Sequence, residues 1–259
     1  MNTAVKQYTK ELYKQFNYLA TWLPGTPLNL GDIGVLNKNE FVAISNLKEL
    51  GIAFEVEEDT TKSDLKYLSN QAVSITTKLA GTAPVLNSVL SEADAGFSVE
   101  FSRENAVLFK ANGTLSPRIK NQIKLGEEII ERFKKGEWDK NWVVITELIK
   151  ADSSTIIISS SSNGKIELRA KANISAGNLD IANASLNLEP KFEKDLETNI
   201  ICGDKLTPLF KASKVKNRWF SDPVFRTRKI TPINFLTPKS AIESPESIYF
   251  DEAEFQYED

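Results

Sequence analysis

The sequence of 259 residues contains no histidine and a single cysteine, Cys202. Without histidine, Ser–His and Cys–His nucleophile pairs and every histidine-containing metal site are excluded. One cysteine cannot form an internal disulfide or supply the ligands of a cysteine-based zinc or iron–sulfur cluster. We therefore expect a protein that is not an enzyme and that has no metal or cofactor, with Cys202 as a buried thiol in a reducing compartment.

Long apolar runs are also missing. The longest uncharged stretches, "NWVVIT" and "STIIISS", have the length of strands, whereas a membrane helix needs roughly 20 apolar residues. Lys10, Glu11 and Lys14 interrupt the first apolar stretch, so the N-terminus does not have the pattern of a secretory signal. The sequence therefore predicts a cytoplasmic location.

Hydrophobic spacing predicts two helices. Apolar residues recur every three or four positions over residues 3–22, which is typical of one helix face. The second helix is expected over residues 116–135, with Ser116 as N-cap, Pro117 at the first helical position and Gly136 just beyond its end. This second helix is amphipathic and central in the chain.

Most of the remaining pattern is that of strands. A hairpin is expected over residues 32–45, an alternating strand within 64–80 and a second hairpin over 96–113, whose turn would be "REN". From residue 141 to 210 short apolar runs follow one another, which predicts an antiparallel meander with one wet face. The predicted fold is α+β: a twisted, mostly antiparallel sheet, a central amphipathic helix and an N-terminal helix.

Within that meander two details are specific enough to test. "SNG" at 162–164 has the composition of a hairpin turn. In "KIELRAKA", Ile166 and Leu168 are expected to face the core, while Glu167 and Arg169 are expected on the solvated face.

Charge divides the C-terminal part of the chain. We predict a single domain over residues 1–210, a basic connector over 211–230 and an acidic tail over 231–259. Residues 205–229 hold eight bases and one acid, whereas residues 243–259 hold seven acids and no base. Such a cationic stretch is typical of segments that bind phosphates of nucleic acids or anionic lipid headgroups, and interleaved aromatic rings fit both partners. The predicted binding residues are Lys205, Lys211, Lys214, Lys216, Arg218, Trp219, Arg226, Arg228 and Lys229.

A structural alternative is that these bases pair with the acidic tail. The tail would then fold back over the basic segment and screen it, with an aromatic residue such as Phe250, Phe255 or Tyr257 as anchor. Exposed ion pairs contribute only roughly 0 to 1 kcal/mol each, so several would have to act together.

Three weaker candidates have ordinary structural interpretations. Glu127, Glu128 and Glu131 have the residue type of a divalent-cation site but the spacing of a solvated helix face. Glu147 and Glu167, on predicted strands, are candidates for a carboxylate pair in acid–base catalysis, although neighbouring strands carry many such charges on their wet face. The indoles in "GEWDKNWVVI" are more typical of packing at the helix–sheet junction than of ligand stacking.

The order of elements resembles that of a known family. An N-terminal helix precedes "PLNLGDIGVLNKNEFVAISNL", and a central amphipathic helix precedes "WVVITELIKADSSTIIISS". Over residues 20–210 this is similar to the pore-forming domain of bacterial gasdermins. The resemblance implies a twisted mixed sheet with extensible amphipathic hairpins, and a C-terminal segment that holds the protein inactive until a protease removes it.

Two functions follow as expectations. The first is a non-enzymatic cytoplasmic protein that binds an anionic surface through the basic segment and is restrained by its tail. In the gasdermin-like version it forms membrane pores in bacterial defence, with an anionic lipid membrane, a processing protease and further copies of itself as partners. The alternative is a protein-interaction or nucleic-acid-associated module, nucleic acid being the less favoured ligand.

Overall fold

The described residues form two antiparallel sheets and two helices. The structure, a computed structural model, describes residues 3–37, 39–171, 179–183, 186–218 and 247–255. The helices are α1 (Thr3–Phe16) and α2 (Gln122–Lys134). The larger, ten-stranded sheet contains β1 (Leu19–Ala20), β2 (Asp32–Asn37), β3 (Glu40–Asn46), β4 (Val56–Glu57), β5 (Ser63–Leu68), β8 (Val107–Thr114), β9 (Arg118–Ile119), β10 (Trp142–Ser159), β13 (Leu196–Arg218) and β14 (Ser247–Glu252). The smaller sheet has the order β12-β11-β7-β6, formed by β6 (Val73–Lys78), β7 (Gly96–Phe101), β11 (Lys165–Ala170) and β12 (Leu188–Lys194).

Two long strands form the spine of the larger sheet. β10 has 18 residues, β13 has 23, and they pair antiparallel with four shifts of register. Such irregularities bend a strand, which lets one strand serve different neighbours along its length. On its other edge β10 pairs successively with β2, β9 and β8.

The apolar run of β10 is explained by burial on both faces. Ile156 and Ile158 pack under α1, whereas Ile157 between them packs against the smaller sheet. Neighbouring residues of a strand point to opposite faces, so a strand covered on both sides reads as a continuous apolar run rather than an alternation.

Helix α1 is shorter than predicted. It ends at Phe16, where Asn17 takes a positive φ of 59° and its N–H still donates to the carbonyl of Tyr13. Residues 19–20 then leave the helix and pair with Leu209 and Phe210 of β13. The helical periodicity continues in sequence, but the pairing with β13 determines the conformation beyond Phe16.

Helix α2 ends as predicted but begins later. The prediction of Ser116 as N-cap is wrong, because residues 118–119 form β9 and the helix starts at Gln122. Ile119 is buried in that strand, and the next N–H, of Lys120, donates to the carbonyl of Glu55. At the other end Gly136 has a φ of +77° and donates to the carbonyl of Phe133, an arrangement that favours glycine.

The local hairpin predictions had different outcomes. The hairpin over 32–45 is confirmed, since β2 and β3 pair directly. The hairpin over 96–113 is wrong, because β7 pairs with β6 and β11 while β8 pairs with β5 and β10. "SNG" is likewise no hairpin turn: it joins β10 in the larger sheet to β11 in the smaller one.

The α+β prediction is confirmed in its broad form, since the described residues form mostly antiparallel strands with two helices and are predominantly β. The single meander expected over 141–210 is wrong, because β10 and β13 belong to the larger sheet and β11 and β12 to the smaller one. The predicted division at residue 210 stays a prediction; within the described residues, β13 continues through this position. Neither helix in the described part of the chain is long and apolar enough to span a membrane.

Candidate anionic-surface site

The described part of the basic segment lies on β13. Lys211, Lys214 and Lys216 are half-buried on its C-terminal half, and Lys205 is exposed earlier in the same strand with a φ of 52°. The backbone of Arg218 ends β13. Outside the described residues lie the Arg218 side chain and Trp219, Arg226, Arg228 and Lys229.

The acidic tail contributes β14 to the edge of β13. The two strands pair antiparallel from Ser213↔Glu252 to Arg218↔Ser247. Lys216 Nζ lies 3.2 Å from Asp251 Oδ2, and Lys211 Nζ lies 3.9 Å from Glu252 Oε1. The pairing of segment bases with tail acids is therefore observed at two lysines.

Lys211 lies at the centre of a mixed charge cluster. Its ammonium is 3.8 Å from Glu147 Oε2 on the neighbouring strand β10, in addition to its contact with Glu252 of β14. The same ammonium lies 4.7 Å from the centroid of the Tyr18 ring, within the range of a cation–π contact. Lys211 thus connects β10, β13 and β14 through carboxylates of both neighbours.

Tyr18 completes this cluster and was not predicted from the sequence. Its hydroxyl donates a hydrogen bond to Glu147. Burial raises the pKa of the Tyr18 phenol well above its usual value, and the hydrogen bond to the Glu147 carboxylate raises it further. Tyr18 therefore remains a neutral donor throughout the physiological range. No motif surrounds it in sequence, since Glu147 is 129 residues away.

Aromatic residues fix the tail more firmly than its charges do. Phe255 is 6% exposed and meets the Phe210 ring edge-on at a centroid distance of 6.5 Å. Phe250 packs against α2 at Gly126, where an added Cβ would lie 3.0 Å from the Phe250 Cβ. A buried phenyl group contributes about 1.5–3 kcal/mol, whereas a partly exposed ion pair such as Lys216–Asp251 contributes about 0–1 kcal/mol.

A polar groove of about 380 Å³ lies beside this cluster. Its walls come from the first turn of α2 and from β10, β13 and β14. Lys211 lines the groove together with the acids Glu147, Asp251 and Glu252. The tail carboxylates thus occupy the positions next to the lysine.

The weaker candidates do not assemble into a site. Glu147 and Glu167 lie in different sheets, on β10 and β11. Glu128 pairs with Arg132 one turn along α2, with nitrogen and oxygen 3.3 Å apart. Among the described residues, no group of three or more cysteine or carboxylate side chains is placed to hold a metal ion.

The packing interpretation of the two indoles is confirmed. The rings of Trp138 and Trp142 lie 5.2 Å apart at an interplanar angle of 76°. Both belong to the apolar cluster between α2 and the larger sheet, which also contains Leu125 and Ile129 of α2. Their size suits this junction between helix and sheet.

Glu167 was expected on the solvated face, and this expectation is wrong. Its side chain is fully buried: Oε2 accepts hydrogen bonds from Ser88 Oγ at 2.9 Å and the Val89 N–H at 2.6 Å, and Oε1 lies 2.8 Å from Lys165 Nζ. Burial opposes ionisation of Glu167, but these donors outweigh it and hold the pKa below its ordinary value of 4.5. The carboxylate thereby fixes the loop between β6 and β7.

Comparison with known proteins yields a likeness in fold. No family model matches the chain. No curated protein matches it either. Among solved structures, the chain is similar to a bacterial gasdermin from Bradyrhizobium tropiciagri, with 12% sequence identity and a TM-score of 0.36, over 82% of this chain and 88% of that one. A likeness at this TM-score assigns neither a family nor a function to the chain.

Proposed function

We propose that this chain is a non-enzymatic, cytoplasmic protein that binds an anionic lipid surface through its basic segment, residues 205–229, and that the tail strand β14 restrains this binding. The observation that carries the proposal is the engagement of Lys211 and Lys216 by Glu252 and Asp251 of the tail. Lysine ammonium groups that pair with carboxylates in this geometry can pair with phosphate oxygens instead. The tail therefore competes with the lipid headgroups for these lysines.

The energetic arrangement supports a restraint that can be released. The ion pairs are partly exposed and individually weak, so they confer charge complementarity rather than firm attachment. Attachment comes from the burial of Phe255, the partial burial of Phe250 and the pairing of β14 with β13. Cutting the chain between Arg218 and β14 would remove the covalent connection and leave only these non-covalent contacts to retain the tail.

In its finer form, the proposal is that the released protein oligomerises and permeabilises the membrane, as a gasdermin-like pore former in bacterial defence would after processing by a protease. This step requires that the strands with the alternating pattern become longer than they are in the resting fold. β6 and β11, which carry the alternating pattern, have six residues each, whereas a membrane strand needs about 9–11.

The test compares intact protein with protein cut after about residue 230, using vesicles of phosphatidylcholine with and without phosphatidylserine. We expect the cut protein to sediment with the anionic vesicles and to release an enclosed dye, and the intact protein to do both far less. Because each base near such a surface contributes about 1 kcal/mol, the triple variant R226Q/R228Q/K229Q should bind roughly a hundredfold more weakly.

A matched control removes three exposed positive charges from α2 and its end, in K124Q/K134Q/K135Q. We expect this variant to bind vesicles like the parent protein. Equal losses of vesicle binding in the two triple variants would mean that only the net charge of the protein matters, which would contradict the proposal. Sedimentation with vesicles but without dye release would support surface binding and reject the pore step. Salt-sensitive binding to single-stranded nucleic acid but not to vesicles would favour the alternative, a nucleic-acid-associated module.

A further inference from the structure

The tail strand β14 lies in a groove with two unlike walls. One wall is the edge of β13, which pairs with β14 over six residue pairs. The other is α2, whose residues Leu125 and Ile129 form an apolar cluster with Ile248 and Phe250 of the tail. A strand bound by backbone hydrogen bonds on one side and side-chain pockets on the other has the arrangement by which extended peptides add to the edge of a sheet.

The groove fits particular side chains at particular positions of the tail. At Gly126 the absence of a Cβ provides the space for Phe250, while Lys216 faces Asp251 and Lys211 faces Glu252. Ala253 is 1% exposed and its N–H donates to the carbonyl of Ala212 at 2.6 Å, and Phe255 is buried with its ring against that of Phe210. The groove thus fits an aromatic residue, two acids, a small residue and a second aromatic residue two positions later.

The covalent connection contributes little to this recognition. Arg218 and Ser247 are directly paired, so the 28 intervening residues, 219–246, begin and end at the same place on the sheet. Every contact described above is made by residues 247–255 themselves. A covalent connection of 28 residues contributes chiefly an effective concentration, on the order of millimolar.

We propose that the groove between β13 and α2 is a receptor site for an extended peptide in trans, and that its partner is the tail strand of a second copy of this chain. The groove fits the pattern "FDEAEF" of the tail, residues 250–255, in both charge and aromatic spacing. In the intact chain the tail's own effective concentration excludes competitors below about the millimolar range. Once the connection is cut, tails exchange between copies. This inference does not depend on lipid binding.

The experiment uses the full chain with a protease recognition sequence introduced within residues 219–246, cut after purification. The probe is a fluorescein-labelled synthetic peptide of residues 247–259, "SIYFDEAEFQYED", followed by fluorescence anisotropy. We expect the cut protein to take up the probe at concentrations at least tenfold lower than the intact protein. A scrambled peptide of the same composition and charge should not bind.

One substitution tests the α2 wall, and a second tests the peptide. Because a β-branched side chain at position 126 would overlap Phe250, Gly126→Val should reduce uptake at least tenfold, and Glu127→Val at the next, exposed position is the matched control. If Gly126→Val fails to fold, the substitution is made in the peptide instead. Phe255→Ala in the peptide should weaken its binding at least tenfold without altering the protein.

The partner is identified by mixing two preparations of cut protein, one with a fluorescently labelled tail fragment and one without label. We expect the label to distribute between the two preparations, as separated by an affinity tag on one of them. Retention of all label on its original copy, equal binding of the scrambled peptide, or equal uptake by intact and cut protein would each overturn the proposal. Because no lipid is present, failure here is distinct from failure of vesicle binding.

Discussion

Truncation of Phe255 to alanine tests whether the tail is a separable unit held by its aromatic anchor. The side chain is 6% exposed and packs in the cluster that contains Phe210, Leu148 and Ile145. Replacing a buried phenylalanine by alanine costs about 3–5 kcal/mol when the surroundings cannot collapse. Because residue 255 lies at the end of the described tail, we take the lower limit, about 3 kcal/mol, as the expected loss.

This loss should appear as local opening of β14 rather than as global unfolding. A destabilisation of about 3 kcal/mol raises the population of an opened tail by a factor on the order of 100. The reporter is the amide of Ala253, whose N–H donates to the carbonyl of Ala212. Hydrogen exchange measured by NMR should therefore accelerate about a hundredfold at Ala253, with little change at amides in the centre of β10.

Glu254→Ala is the control, since residue 254 is exposed next to the anchor. It should leave exchange at Ala253 almost unchanged. The reasoning is refuted if Phe255→Ala accelerates exchange equally at Ala253 and in β10, because the tail would then unfold only together with the whole protein. Unchanged exchange at both places would instead show that Phe255 does not anchor the strand.

Two further predictions concern the interior. Glu167→Gln should lower the free energy of unfolding by about 2 kcal/mol at pH 7, measured by urea denaturation, because it removes a charged acceptor from buried donors. The folded-state pKa of Glu167 is lowered, so its stabilisation is present above the ordinary value of 4.5 and is lost as the pH falls through the folded-state pKa. Parent and variant should therefore converge in acid, and a difference that does not shrink as the pH is lowered would contradict this. Ile129→Ala, at a fully buried position of α2, should cost about 2–5 kcal/mol, whereas Ile123→Ala, at a residue 73% exposed, should change stability by less than about 0.5 kcal/mol; similar losses would contradict the burial assigned to this helix.

Two predictions that depend on neighbouring residues agree with the structure. The hairpin of β2 and β3 follows from two apolar runs around a short turn, and the end of α2 at Gly136 follows from a residue that tolerates positive φ. These signals lie within a few residues of the structure they specify, so the sequence carries them directly.

Predictions that required knowledge of pairing partners were wrong at identifiable places. "REN" and "SNG" have the composition of hairpin turns, yet each connects the two sheets, because composition sets the tightness of a turn and not the partner of the next strand. Glu167 alternates with apolar residues as a solvated residue would, but the loop from β6 to β7 covers it and supplies its donors. Periodicity indicates which residues share a face, not what covers that face.

The candidate site divides in the same way. The sequence by itself determined that a strongly cationic stretch and a strongly anionic one lie close together in the chain, and that aromatic residues accompany both. Only the tertiary structure decided that Asp251 and Glu252 meet two of the lysines, that Phe250 packs at Gly126, and that Tyr18 joins the cluster from the other end of the chain. Charge and hydrophobicity are properties of single residues and can be read in order. Contact between residues more than a hundred positions apart depends on which strand edges and apolar faces the whole fold leaves for them.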